Sequence, residues 1–409
     1  MAGAVTMGME PTAPVADGLP LGRRLAIFAL LLASEFLYGW AWNTVDVLRP
    51  YVRETLHLSL IQAGSMYSAQ GAGALTGAVV IGQLADRFGR RLMLAMLIFG
   101  YGAMLLLGAV VQDYPELLAQ RFLLGLFMGA SFPVGVGIYV NLFEAHVRGR
   151  LAGTLNVAFS LSIVSLGMAM GWVGPQDWRL LLWAGGVPPL LLAGLALVLI
   201  PAHSAVDRHH AASGKLPIGE LFKPEVRKRT LLLALMTGLN FFGYEAYSGW
   251  LTTYLTGDRG LSASVAGSLV AWQFAGNIVG GFVWGWLADR YGRRFNAIGF
   301  LIASAAIVAY LLVPTDIVLL RVIGLVYGGT LCASVIWGPW LAELYPPHLR
   351  STAASIFNWG RVISFFAPLI TATLAGTIGL PFAMASASLA FGLAALIWFS
   401  QPETLAGLE

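Results

Sequence analysis

GQLADRFGRR at residues 82–91 recurs as GWLADRYGRR at residues 285–294, an offset of 203 residues in a chain of 409. The repeat extends upstream at the same offset, where Gly64, Gln70, Gly73 and Gly77 meet Gly267, Gln273, Gly276 and Gly280. Each half therefore carries a glycine-lined apolar segment followed by a basic loop. This pattern predicts a membrane protein built by internal duplication.

The composition indicates the same class. The chain is 58% hydrophobic and 11% charged, whereas about 25% of the residues in a soluble domain are charged. The charges fall between apolar stretches of about 20 residues, the length of a helix that crosses a bilayer. A net charge of only +4, dispersed among loops, argues against a nucleic-acid partner. The sequence contains no Gly-x-x-x-x-Gly-Lys-Ser/Thr loop, and we predict no enzyme activity, no cofactor and no metal site.

The apolar stretches predict an all-α protein with twelve transmembrane helices, here called spans 1–12, in two pseudo-symmetric six-helix bundles. The predicted bounds are 25–47, 62–85, 92–111, 116–141, 150–172, 180–200, 230–255, 263–286, 296–313, 317–341, 352–377 and 379–400. The predicted domains are a disordered N-terminus (1–22), a first bundle (23–200), a central loop (201–229), a second bundle (230–401) and a tail (402–409).

The basic residues predict the orientation. Of the 24 Lys and Arg residues, seventeen lie on the side of both termini, six lie on the other side, and Arg361 lies within span 11. Because basic loops stay in the cytoplasm, we expect both termini and the central loop to be cytoplasmic. The single Cys332 excludes an intrachain disulfide, and no Asn-x-Ser/Thr acceptor occurs, which favours the bacterial inner membrane.

The duplicated loop resembles the signature between helices 2 and 3 of the major facilitator superfamily, which recurs in weaker form between helices 8 and 9. The resemblance implies a secondary transporter whose bundles rock around a midplane site, with these loops latching the halves on the cytoplasmic side. Glycines allow close helix approach and tight turns. A purely topogenic loop remains the alternative. The implied gate residues are Gly82, Asp86, Arg87, Gly89 and Arg90, with Gly285, Asp289, Arg290, Gly292 and Arg293.

A second duplicated pattern follows spans 4 and 10. Glu144 precedes Arg148, and Glu343 precedes Arg350. Both resemble the motif that ends these helices in the sugar and organic-acid branches of the superfamily, as does Pro402-Glu403-Thr404 after span 12. The resemblance implies that these acids form ion pairs with the basic loops and belong to the gate.

Other landmarks resemble the organic-acid branch, which includes the sialate and aromatic-acid:proton symporters. They are Asp177-Trp178-Arg179 before Pro188-Pro189, the end of span 7 at residues 250–255, and FNWGR at residues 357–361 before Pro368. The resemblance implies a small organic anion as substrate.

Arg361 is the leading candidate for substrate binding, together with its neighbours Asn358 and Trp359. A charge near the midplane is costly and usually faces a cavity or a partner, and a guanidinium matches the fork of a carboxylate. The alternative is a permanent structural pair with Glu35 or Glu245.

Glu35 and Glu245 lie inside spans 1 and 7, and a carboxyl group in a dry site accepts a proton readily. We expect one of them to couple transport to protons, and a structural pair is the alternative. Arg121 resembles the arginine of helix 4 that pairs with an acid of helix 1. The usual Asp-Gly-x-Asp window reads Tyr38-Gly39-Trp40-Ala41 here, so Asp46 or Glu35 is the candidate substitute.

Aromatic and amide side chains complete the predicted site. The candidates are Tyr38, Trp40, Tyr244, Tyr247, Gln70, Gln273 and Asn277. Aromatic rings also collect at membrane interfaces, and amides also form hydrogen bonds between helices, so both structural alternatives stay open.

The sequence thus predicts proton-coupled uptake of a small organic anion by a monomer in the lipid bilayer. One alternative is a proton-coupled exporter of amphipathic compounds, in which Glu245 recognises cations. Another is a sensor on the same fold that binds ligand without transport.

Overall fold

Helices account for all twelve predicted spans. The computed structural model describes residues 19–143, 145–173, 177–201, 218–346, 353 and 356–405. Its spans are Leu21–Val47; Leu60–Phe88; Arg90–Gly108; Tyr114–Met128 with Ser131–Leu142; Ala145–Met170; Arg179–Leu199; Pro224–Tyr247 with Leu251–Gly257; Ala263–Tyr291; Ala297–Leu312; Ile317–Leu331 with Trp337–Glu343; Ile356–Ser364 with Ala367–Ile378; and Leu380–Phe399.

Nine helices among the described residues are long and apolar enough to cross a membrane. The other three predicted spans, 2, 4 and 7, are also helical, so helices lie at all twelve predicted positions. The bounds differ most at span 7, which begins at Pro224 rather than at 230. Its first turns carry Arg227, Lys228 and Arg229, so the helix continues beyond the apolar stretch into a polar region. Residues 1–18 and 202–217, from the predicted N-terminus and central loop, lie outside the described residues.

Helix breaks recur in the two halves. Span 1 breaks at Leu48 before the short helix Arg49–Thr55, and span 7 breaks at Ser248–Trp250 before Leu251–Gly257. Span 4 is divided after Met128, and span 10 is divided by the 3₁₀ turn Cys332–Ile336. Span 11 breaks before Ala367. A proline (Pro50, Pro133, Pro339 or Pro368) follows four of these five breaks, since proline fits the first turn of a helix but not its interior.

The duplicated glycines pack the same helices in both halves. A Cβ on Gly73 of span 2 would overlap the carbonyl oxygen of Phe122 in span 4, and one on Gly276 of span 8 would overlap that of Leu325 in span 10. The partners are also 203 residues apart. Small residues at these crossings let the two backbones touch, as is usual between membrane helices.

The two ends of the bundle differ. We call the end with the loops at residues 88–90 and 291–294 the basic face, and the other end the opposite face. Among the described residues, contacts between the first half (spans 1–6) and the second half (spans 7–12) concentrate at the opposite face, where Gly64 meets Pro368 and Gly167 meets Gly267. In span 11, Ala367–Ile378 packs on span 2 of the first half, whereas Ile356–Ser364 packs on span 7 of its own half.

Candidate functional site

Arg361 of the second half lies within electrostatic reach of Glu35 in the first half. Arg361, in the helix Ile356–Ser364, is exposed, and its guanidinium carbon lies 5.4 Å from the ring centre of Phe241 in span 7. It interacts electrostatically with Glu35 and Tyr38 of span 1. Glu35 and Tyr38 also line a cleft in the first half, together with the Ser34 and Ser131 residues. The structure therefore brings the predicted anion-binding arginine and one predicted proton carrier into one region.

An aromatic row leads from this region toward the opposite face. Tyr38 stacks on Trp42 with ring centres 6.0 Å apart, and Trp42 meets Tyr67 edge-on at 6.1 Å. Tyr67 of span 2 contacts Phe365 of span 11 at 6.4 Å. The row therefore crosses from the first half to the second through contacts between aromatic rings.

Buried charges close the opposite face. Arg49 is fully buried, and its Nη2 lies 2.5 Å from Oδ1 of Asp46. It also donates to the backbone carbonyl of Gly249 in span 7 and lies 4.5 Å from the ring centre of Trp250. In the other direction, Thr252 Oγ1 donates to the carbonyl of Asp46 at 2.8 Å. Spans 1 and 7 thus hold one another through polar contacts.

Arg121 extends this network into the first half. Its Nη1 lies 3.0 Å from Thr44 Oγ1 and 3.4 Å from Gln70 Oε1, while Gln70 donates to the carbonyl of Trp42. Asp46 lies in the electrostatic field of Arg121 as well as that of Arg49. Asp46 is therefore the acid that the structure places near the span 4 arginine, while Glu35 lies by Arg361.

Glu245 lies at the same boundary. Its carboxyl group is buried beside the hydroxyl of Tyr67, in the field of Asp46 and Arg49. Its Oε2 has no hydrogen-bond partner among the described residues. The buried oxygen is an acceptor without a donor, a costly state for an ionised group.

Several predicted substrate residues serve packing in this structure. Trp40 donates to the carbonyl of Leu181 in span 6, and Tyr247 is buried against Tyr327 at 4.7 Å. Trp359 stacks on Phe222 at 6.0 Å. Tyr244 is half-buried beside Glu245.

The predicted amides make hydrogen bonds between helices. Gln70 and Gln273 are buried, and Gln273 Nε2 lies 2.9 Å from Ser248 Oγ. Asn277 Oδ1 accepts from Ser160 Oγ at 3.2 Å, a contact between the two halves. The side chain of Asn358 lies outside the described residues.

The predicted gate loops form contacts within each half. Arg90 donates to the carbonyl of Gly137 in span 4 at 2.6 Å. Arg293 lies 2.7 Å from Asp289 and 3.5 Å from Glu343, so Glu343 pairs with a basic loop as the resemblance implies. Arg290 lies over the ring of Trp286 at 5.5 Å.

Backbone geometry at the loops is duplicated. Gly89 and Gly292 have φ of 83° and 97°, a left-handed conformation that favours glycine in a tight turn. Gly285 differs from the packed glycines, because within the described part of the chain no atom outside its own helix lies within 4 Å of a Cβ built on it. It lies at the basic face, away from the region where the two halves meet. The side chains of Asp86, Arg87, Glu144, Arg148 and Arg350, and the surroundings of Gly82, lie outside the described residues.

Three residues of the site were not predicted from the sequence. Arg49 was assigned only as one of the six basic residues on the outer side, and Tyr67 and Gly249 had no predicted role. The spacing of Asp46 and Arg49 was an available signal, since residues three apart share a helix face. Tyr67 and Gly249 carried no such signal.

A duplicated bundle of twelve spans with charges buried between its halves is the architecture of a multi-pass membrane transporter. A sequence model of the Major Facilitator Superfamily matches residues 31–262 and 233–408, and the chain belongs to this family. This confirms the fold predicted from the duplicated loops and the prediction of a transporter rather than an enzyme.

Curated relatives are named as transporters of organic acids. The chain is 26% identical to the cis,cis-muconate transport protein of Acinetobacter baylyi over 89% of this chain and 90% of the relative. It is 28% identical to the 3-(3-hydroxy-phenyl)propionate transporter of Escherichia coli over 93% of this chain and 95% of that relative. It is also 28% identical to the gallate transporter of Pseudomonas putida, over 87% of this chain and 86% of that relative.

Solved structures share the fold. A bacterial homologue of the human lysosomal transporter Spinster, in an inward-facing and unoccupied conformation, aligns with a TM-score of 0.75 at 17% identity over 93% of this chain and 97% of that one. A D-xylose-proton symporter aligns with a TM-score of 0.74 at 18% identity, over 93% of this chain and 98% of that one.

Proposed function

We propose that this protein takes up a small organic anion, a carboxylate metabolite, together with protons. It acts as a monomer in the bacterial inner membrane, with both termini in the cytoplasm. The three relatives compared above carry muconate, hydroxyphenylpropionate or gallate in their names. All three are carboxylates, and their names support the same substrate class here.

The placement of Arg361 is the observation that carries the proposal. An exposed guanidinium beside the ring of Phe241 and opposite Tyr38 offers a charged fork for a carboxylate between apolar surfaces for its body. Charge-assisted hydrogen bonds from a guanidinium to a carboxylate are about twice as strong as neutral ones.

Glu35 gives the proposal its link to protons. Because Glu35 interacts with Arg361, an ionised Glu35 competes with the substrate carboxylate for the same cation. A proton on Glu35 removes that competition, so proton and substrate bind together. Asp46, Arg121 and Glu245 hold a second set of charges at the closed face.

The distribution of contacts fits one stage of a transport cycle. With the basic face in the cytoplasm, closure at the opposite face corresponds to a site closed to the outside. The contacts of span 1 with span 7 and of span 2 with span 11 then separate when the site opens outward.

Ligand-induced stabilisation of the purified protein tests the substrate class. The panel contains aromatic, sugar-derived and short-chain carboxylates and amphipathic cations, each added to wild type, Arg361→Ala and Arg361→Lys. A ligand at a hundred times its Kd stabilises the folded state by about 2.7 kcal/mol. We expect a carboxylate to stabilise wild type and to bind Arg361→Ala at least about tenfold more weakly, because a hydrogen bond to a charged group is lost.

Arg290→Ala is the matched control, since it removes an arginine of the basic face that lies over Trp286. It is expected to keep the wild-type response. Stabilisation by cations alone, or an unchanged carboxylate response in Arg361→Ala, contradicts the proposal and favours the exporter. Counterflow in proteoliposomes separates a transporter from a sensor that binds without flux.

A further inference from the structure

We propose that Arg49 is the reversible latch of the opposite face, a positioning residue that holds the second half closed on the first. The proposal depends on the transporter fold and not on the identity of the substrate. It concerns a residue that neither the duplicated loops nor the relatives single out.

The contacts of Arg49 divide between the two halves. Its ion pair with Asp46, at 2.5 Å, stays inside the first half, because the two residues are three apart at the end of span 1. Its contacts with the second half are the carbonyl of Gly249 and the ring of Trp250, at 4.5 Å from the centre.

This division makes the latch reversible. Splitting a buried ion pair leaves uncompensated charge and is strongly unfavourable. When the halves separate, however, Arg49 keeps Asp46 as its counter-ion and gives up one carbonyl, one aromatic face and the field of Glu245. Thr252 releases the carbonyl of Asp46 in the same movement. The face can therefore open with the charge of Arg49 still paired.

Gly249 provides the backbone carbonyl that Arg49 contacts in the second half. A Cβ at this position would lie 2.9 Å from Oε2 of Glu245, 3.5 Å from Oδ1 of Asp46 and 3.8 Å from Nη1 of Arg49. A Cβ there must displace the carboxyl end of Glu245, and any atom beyond the Cβ adds to the crowding around Asp46 and Arg49. The break in span 7 at Ser248–Trp250 places the backbone itself, rather than a side chain, against the guanidinium.

A cross-linking reporter tests the latch independently of transport. Cys332 is the only cysteine, so Cys332→Ser gives a cysteine-free background. Gly171→Cys and Ser264→Cys then join the halves at the opposite face, where a Cβ on Gly171 would lie 3.0 Å from Cβ of Ser264, so a widening of about 0.5 Å brings the two cysteines to disulfide spacing. The measurement is the rate of disulfide formation under mild oxidation in proteoliposomes.

We expect Arg49→Gln to slow cross-linking by up to about tenfold, the shift in the closed-to-open equilibrium expected from loss of one hydrogen bond to a charged group, because the rate follows the population of the closed form. Arg179→Gln is the matched control, because Arg179 also lies at the opposite face but donates to the carbonyl of Val111 in its own half at 2.9 Å. It is expected to leave the rate unchanged. An unchanged rate in Arg49→Gln, or equal slowing in Arg179→Gln, overturns the proposal.

Gly249→Val tests the same contact without removing a buried charge, because its methyl groups extend beyond a Cβ position that already touches Glu245, Asp46 and Arg49. We expect it to slow cross-linking as well, and the double variant with Arg49→Gln to be no slower than Arg49→Gln alone, because both changes act on one contact. If Arg49→Gln fails to fold, Arg49→Gln with Asp46→Asn removes the pair together. A normal rate in Gly249→Val, or additive slowing in the double variant, contradicts the latch.

Discussion

Glu403 joins the end of the chain to the start of span 9. Its carboxylate accepts the backbone N–H groups of Arg293 and Arg294 at 2.8 and 2.9 Å, and also those of Thr404 and Leu405. Burial alone raises the pKa of this carboxyl, but the four backbone donors outweigh it and hold the pKa below its ordinary value. The Pro402-Glu403-Thr404 motif thus has a direct physical role, since free N–H groups at a helix start attract a carboxylate.

The lowered pKa of Glu403 gives a pH prediction. A carboxyl whose pKa is lower in the folded state adds stability above its ordinary pKa of about 4.3, and that stability is lost as the pH falls through the folded value. We therefore expect the Tm of wild type to fall more than that of Glu403→Gln between pH 7 and pH 4. The difference is expected to be small, about 2 °C or less, because the group is partly exposed.

Differential scanning fluorimetry of the purified protein measures this difference. Glu54→Gln is the control, since Glu54 is an exposed carboxylate on the short helix Arg49–Thr55. If Glu403→Gln and wild type lose the same Tm over this range, the Glu403 contacts do not stabilise the loop.

For single residues, the sequence predicts which charged side chains lie inside the bundle better than it predicts which residues they contact. Arg361, Glu35 and Glu245 stand out because a charge within an apolar span is costly wherever it faces. Arg49 does not stand out, because a span boundary is the ordinary place for an arginine. Trp40, Tyr247 and Gln273 are polar or aromatic on apolar helices, and only the packing of neighbouring spans decides whether such a side chain meets a helix or a ligand.

Among the helices, the duplicated glycines divide into two kinds. Gly276 of span 8 has no room for a Cβ, because the carbonyl oxygen of Leu325 in span 10 occupies that position. Gly285 lies nine positions along in the same helix, and no described residue outside that helix has an atom within 4 Å of its Cβ position. Both glycines recur in the first half at the same offset, so the sequence alone does not distinguish their roles.

This difference predicts opposite effects of the same substitution. Gly276→Ala forces two packed backbones apart and is expected to destabilise the protein by about 1–3 kcal/mol, the usual cost of overpacking. Gly285→Ala is expected to leave stability unchanged or slightly higher, because alanine favours helix. Thermal unfolding of the two variants in one detergent makes the comparison.

A transport assay of Gly285→Ala then shows whether Gly285 acts in closure of the basic face or has no packing role. If it packs against the first half when the basic face closes, as the family signature implies, Gly285→Ala slows uptake while its Tm is unchanged. Equal loss of Tm in both variants contradicts the division of the glycines described above.

Element bounds were predictable where apolarity decides them, and breaks were not. All twelve spans follow from runs of apolar residues. The breaks at Gly129 and Cys332 interrupt largely apolar sequence, and proline follows them only four and seven residues later. A proline within a membrane helix is compatible with a kink as well as a break, so tertiary packing selects the break.

In the whole molecule, charged groups occupy two levels between the halves. Arg361 and Glu35 lie toward the centre, and Asp46, Arg49 and Glu245 lie at the closed opposite face. The aromatic row of Tyr38, Trp42, Tyr67 and Phe365 connects the two levels. A ligand held by Arg361 is therefore separated from the opposite face by side chains of both halves, which must part together for that face to open.

Proton coupling involves the whole molecule, because it links a binding event at one level to the opening of a face. If Glu35 carries the proton, Glu35→Gln mimics its protonated form permanently and removes the carboxylate that competes with the substrate for Arg361. We expect this variant to bind the carboxylate with an affinity independent of pH, to retain counterflow, and to lose accumulation driven by a pH gradient. One pH unit is worth about 1.4 kcal/mol per proton, or about tenfold accumulation for one proton per substrate.

Uptake into proteoliposomes with an imposed pH difference, measured beside counterflow, distinguishes the possible carriers. Glu245→Gln serves as the comparison, since Glu245 is buried at the opposite face rather than beside Arg361. Accumulation lost in Glu35→Gln but kept in Glu245→Gln assigns the proton to Glu35, and the reverse assigns it to Glu245. Tenfold accumulation that survives in both variants, and in the double variant, removes both carboxyls from the coupling mechanism and contradicts competition for Arg361 as its basis.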